Sequence, residues 1–96
     1  MYYDLDGAPI DFTRWAAIHS DRKQKILKQE TINGKLVSTV YLGINHNYGE
    51  GEPLIFETMI FPEGEWLEDY CERYATKAQA LEGHERAVAL IKGEQK

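Results

Sequence analysis

Apolar and polar positions along the 96-residue chain fall into runs of two periods, and the periods name the elements. Lys25–Ile32 and Lys35–Leu42 have β-type composition and are separated by Asn33-Gly34. That dipeptide marks a two-residue hairpin, because a type I′ turn needs positive φ at both central positions. The register follows. Ile32 opposes Lys35, Leu27 opposes Val40, and Ile26 opposes Tyr41. One face then collects Leu27, Leu36, Val40 and Leu42, the other Ile26, Ile32, Val37 and Tyr41. Leu54–Phe61 reads as a third strand, apolar on both faces except at Glu57, which shares a face with Ile55, Met59 and Phe61. Trp66–Ala75 alternates with period two and reads as a fourth strand. The stretch Glu65–Tyr74 also presents a helical face of Trp66, Tyr70, Arg73 and Tyr74, so both assignments stay open.

Two helices frame these strands. Tyr2–Leu5 reads as a short edge strand and Asp6-Gly7 as a turn. Asp11 is placed to cap a short N-terminal helix ending near Ser20-Asp21, with Ile10 stapled onto Trp15. Thr76 and Gln79 form a capping box for a C-terminal helix that runs to about Lys92, with Gly93 beyond it. Its stripe is Leu81, His84, Val88 and Ile91, flanked by Ala80 and Ala87. Gly83, costly inside a helix, implies a close approach of helix to sheet. The expected fold is α+β in a single domain spanning 1–96. An antiparallel meander of about four strands packs against the C-terminal helix, with the short N-terminal helix beside it.

Composition narrows the function classes. The net charge is −5, and no Lys or Arg occurs from Leu36 to Glu72. The negative total disfavours general nucleic-acid binding, although Arg22–Lys28 is locally basic. The single cysteine, Cys71, allows no intrachain disulfide and fits a reducing cytoplasm. The first residues lack a basic flank and an apolar stretch, so no signal peptide is expected, and no apolar run approaches a membrane span.

Candidate chemistry centres on Glu57, because carboxylates are rarely buried without a partner. His84 lies on the apolar stripe of the last helix, and the two are expected to pair if they enter the same layer. His46 lies in the long loop 43–53, before the Glu57 strand, with Tyr48 near its tip. His46, Glu57 and His84 form a conceivable two-histidine, one-carboxylate metal set, without the close spacing of a metal motif. Cys71 reads as structural.

Three segments carry a resemblance: Ser38-Thr39-Val40-Tyr41-Leu42-Gly43, Pro53–Phe61, and Arg73-Tyr74-Ala75-Thr76 followed by Gly83-His84-Glu85. Their order and spacing resemble a group of small proteins encoded by bacteriophages and prophages, over residues from about 36 to 88. The resemblance implies phage origin and a host-cytoplasm location. It marks His46, Glu57, Arg73, Tyr74 and His84 as parts of the shared pattern, and it implies no activity.

The leading expectation is a non-catalytic accessory protein. It binds a host protein or a small anionic signal molecule through His46, Tyr48, Glu57, Arg73, Tyr74 and His84, with no cofactor, no metal and no catalytic residue. A small hydrolase or metal enzyme using His46, Glu57 and His84 is the alternative from another class. A structural protein that forms homo-oligomers is the third.

Overall fold

The computed structural model describes residues 1–45, 49, 51–63 and 70–93. Strands β1 (Tyr2–Tyr3) and β2 (Pro9–Ile10) form a small hairpin. Helices α1 (Phe12–Ser20) and α2 (Arg22–Lys25) follow. Then come β3 (Ile26–Ile32), β4 (Lys35–Tyr41), β5 (Phe56–Phe61), β6 (Tyr70–Tyr74) and α3 (Lys77–Gly93). The main sheet has the order β3-β4-β5-β6, antiparallel throughout. It is the expected α+β meander packed against the C-terminal helix, with a short N-terminal helix.

The local signals act as their chemistry dictates. Asn33 and Gly34 take φ of 51° and 82°, which closes the β3–β4 hairpin. Asp11 caps α1 by accepting from the Arg14 amide at 2.8 Å. Thr76 Oγ1 accepts from the Gln79 amide at 3.1 Å, while Gln79 Oε1 accepts from the Thr76 amide at 3.3 Å. Asp21 caps α2, a turn that the sequence pattern did not announce. Pro9 and Ile10, just before the helix, pair with β1.

Three expectations change. Residues 70–74 are strand, which removes the helical alternative there; residues 65–69 lie outside the described residues. The β3–β4 ladder keeps the expected register from Lys28 to Ile32 but shifts at Leu27, so that Ile26 opposes Val40 rather than Tyr41. The bulge also swaps the two neighbours. Leu27 packs against the cluster containing Tyr41, and Ile26 faces away from it. Finally, Leu81 is exposed, and the buried stripe of α3 is Ala80, Gly83, His84, Ala87, Val88 and Ile91.

The core between sheet and α3 has three parts along the strands. One apolar cluster holds Ile18, Tyr41, Ile55, Phe56, Tyr74 and Ala80. A second holds Val37, Ile60, Ala87, Val88 and Ile91. Between them lies a buried polar line of Thr39, Thr58 and His84.

Gly83 explains how closely the helix approaches. A methyl built on it would overlap the ring and hydroxyl of Tyr74 on β6. Helix propensity alone favours alanine there by about 1 kcal/mol. The overlap reverses the sign, so Gly83→Ala should lower unfolding free energy by about 1–3 kcal/mol in urea denaturation. Ala89→Gly, on the exposed side of α3, should lose only about 1 kcal/mol.

Candidate functional site

Period two along β5 assigns adjacent residues to opposite faces, and this separates the two candidate groups. Thr58 faces α3 and Glu57 faces away from it. The expected Glu57–His84 pair therefore does not form, because the sheet stands between them. The set His46, Glu57, His84 cannot close for the same reason. His46 and Tyr48 lie outside the described residues. No group of three His, Cys, Asp or Glu side chains suited to a metal occurs among the described residues.

On the helix side, fully buried His84 is bonded at both ring nitrogens. Nε2 lies 2.8 Å from Glu30 Oε2, and Nδ1 lies 2.7 Å from Thr39 Oγ1. The Glu30 carboxylate only accepts, so Nε2 carries a hydrogen. In the neutral ring Nδ1 accepts from Thr39, whose oxygen in turn accepts from Thr58 at 2.6 Å. Lys28 extends the line to the surface, 3.6 Å from Glu30 and 2.6 Å from Glu85. Next to this line, the buried Tyr74 hydroxyl has no hydrogen-bond partner among the described residues. It lies near Thr58 and Glu72 without bonding either, and burial raises its pKa. Tyr70 donates to Glu72 at 2.6 Å and has its pKa pushed up to about 12, first by burial and then by that bond. Glu72, held by Tyr70 and by Arg86 at 3.0 Å, is shifted down.

On the other face, Glu57 finds its partners on β6, where the ladder sets it opposite Arg73. Arg73 Nε lies 3.3 Å from Glu57 Oε1, and the Cys71 thiol donates to the same oxygen at 2.8 Å. Glu57 is only 8% exposed. It lines an open groove of about 500 Å³ whose floor includes Ser38, Val40, Leu42, Met59 and Phe61. The α1–α2 corner supplies the facing wall with His19, Ser20, Arg22 and Lys25, next to Ile26 at the start of β3. Trp15 anchors that corner by donating Nε1–H to the Leu42 carbonyl at 2.9 Å and stacking on His19 at a centroid distance of 4.8 Å. Burial and the Lys25 charge lower the His19 pKa, so its ring stays neutral at pH 7. Arg22 and Lys25 make no ion pair with any carboxylate among the described residues.

Of the six residues named from sequence, Glu57 and Arg73 come together on the groove face, while His84 and Tyr74 belong to the helix side. Sequence reasoning missed Arg22, Lys25, Glu30, Thr39 and Thr58. The parity of Cys71 and Arg73 was visible, but their register against Glu57 depends on a connection whose length in strand was open. The 43–53 loop was expected to hold the site. Its end borders a smaller hollow of about 220 Å³, with Asp6 and Glu52 among its lining, a poor seat for an anion. Among the described residues, no helix is long and apolar enough to cross a membrane. Comparison with family models, curated proteins and solved structures finds no match to the chain.

Two measurements check the helix side. Thr39→Val removes the middle of the hydroxyl line and strands His84 Nδ1 and Thr58, so it should cost about 2 kcal/mol in urea denaturation. Thr58→Val removes only the end and should cost less; equal losses would contradict the direction given to the chain. In alkali, an unfolded tyrosine ionises near its ordinary pKa of about 10, whereas folded Tyr70 holds its proton to about 12. Its contribution to stability is complete below pH 10 and is lost as pH rises through that window. Tyrosinate absorbance followed alongside circular dichroism should show Tyr70 ionising late, and Tyr70→Phe should soften the alkaline loss.

Proposed function

We propose that the chain is a non-catalytic binding protein, of phage or prophage type, whose groove beside Glu57 takes up a small anionic molecule with an apolar body. The observation that carries this reading is the juxtaposition of an apolar floor with Arg22 and Lys25, two cations without a carboxylate partner among the described residues. On a chain of net charge −5, such cations at a concave apolar site favour an anion locally. A groove of about 500 Å³ falls in the size range of small-molecule sites. His84, Thr39 and Thr58 are fully buried and bonded to one another, which supports a structural role for that line in seating the helix. The phage assignment rests on the sequence resemblance, and with it goes a host-cytoplasm location.

The fluorescent probe anilinonaphthalene sulfonate combines an aromatic body with one anionic group. It should light up on the folded protein at pH 7. Charge reversal at both Arg22→Glu and Lys25→Glu should weaken its binding by about tenfold or more, a loss of about 1.4 kcal/mol, with unchanged circular dichroism. Val40→Trp, which fills the floor, should abolish it. No enhancement on the native protein, or enhancement indifferent to both changes, would remove the reading.

A further inference from the structure

The groove wall is where a run of stacked rings ends. Residues three and four apart share a helix face, and on α1 that spacing aligns Phe12, Trp15 and His19. Tyr2 from β1 joins them, with ring centroids 5.6 Å from Phe12 and 4.9 Å from Trp15. Trp15 lies 5.7 Å from Phe12 and 4.8 Å from His19, its plane at 30° to the imidazole. His19 is the last ring of this run. It has Trp15 on one side, and among the described residues it has no second ring partner and no hydrogen bond. It is half-buried and lines the groove, so the surface it offers there is the side away from Trp15. The ring is neutral at pH 7, and a flat ligand can stack on it without meeting a charge. The same wall holds the cations. Arg22 follows His19 by three residues and Lys25 by six, and both line the groove with it. The nearby carboxylates are engaged. Asp21 accepts from the Lys23 amide at 3.0 Å and from Gln24 Nε2 at 2.9 Å, and Glu57 has Arg73 at 3.3 Å. Two cations on one wall suit a doubly charged group better than a singly charged one. A phosphate monoester carries about −1.5 to −2 at pH 7.

We infer that the groove anion is an aromatic phosphate monoester, its ring stacked on His19 and its phosphate held by Arg22 and Lys25. An aliphatic phosphate uses the two cations but leaves the His19 ring uncovered. A neutral aromatic molecule covers the ring but leaves the cations unpaired. The aromatic ester answers both, and the remainder of its body lies over Val40 and Leu42. A nucleoside monophosphate and a simple aryl phosphate share this chemistry. This inference rests on the groove being the binding site proposed above and names the class of anion it takes.

The test is calorimetric titration of the full chain with adenosine monophosphate, phenyl phosphate and butyl phosphate. The better aromatic ester should bind at least about tenfold tighter than butyl phosphate, the scale of one stacking contact. Whichever of the two aromatic esters is tighter names the source, nucleotide or aryl phosphate. His19→Ala should bring that ester and butyl phosphate to equal binding, and His19→Phe, which keeps a ring, should restore the difference. In the Arg22→Ala, Lys25→Ala double variant, whose changes are at the groove wall rather than in the core, the same ester should lose about tenfold or more. Circular dichroism and melting temperature establish that each variant is folded. Butyl phosphate binding as tightly as both aromatic esters would overturn the inference. So would an aromatic preference that survives His19→Ala, affinity unchanged in the double variant, or no binding by either aromatic ester. If anilinonaphthalene sulfonate still binds in that last case, the phosphate ester fails and the groove reading stands; if it does not, both fail.

Discussion

The seat of His84 on the sheet fixes much of the remaining architecture. A fully buried imidazole needs both nitrogens engaged, and Glu30, Thr39 and Thr58 supply that engagement only at one position of α3. Sliding the helix by one turn would strand both ring nitrogens of His84 and take from Thr39 its acceptor. The apolar contacts of Val88 and Ile91 provide burial but would tolerate other positions. The polar line therefore contributes uniqueness of placement more than net energy. Ala80, Gly83 and Ala87 let the backbone come close enough for the imidazole to reach.

Because α3 is committed to one face, the other face is left to the α1–α2 corner, which reaches only its end. Ile18 enters the core on one side of that corner, while His19 borders the groove on the other. Trp15 ties the corner to the end of β4 through the Leu42 carbonyl. The groove is thus the space left between a sheet that is paired throughout and a short helix that cannot span it.

The local elements were legible in the sequence because their causes are local. Asn33-Gly34, Asp11 and the Thr76–Gln79 box each act within four residues. The pairing of Glu57 was not legible, for a specific reason. Choosing its partner requires knowing which face of β5 the helix covers, and apolar content does not say. The covered face carries Thr58 and Thr39 at its centre, whereas the uncovered face carries Met59, Val40 and Phe61. A pattern that assigns apolar residues to the core therefore points to both faces equally. Tyr74, named from the sequence among the binding residues, is a core residue whose hydroxyl has no hydrogen-bond partner among the described residues. Arg22 and Lys25 looked like ordinary solvated charge until the fold set them against an apolar floor.

The bulge at Leu27 has a bearing on how such a chain can diversify. It turns Ile26 toward the groove while Lys28 and Glu30 keep their contacts with α3. The extra residue acts as a joint between two modules of the same strand. Substitutions upstream of it reshape the wall of the groove, and substitutions downstream reshape the helix seat. A lineage could exchange one specificity for another at the α1–α2 corner without renegotiating the core, much as a tool changes its bit and keeps its handle.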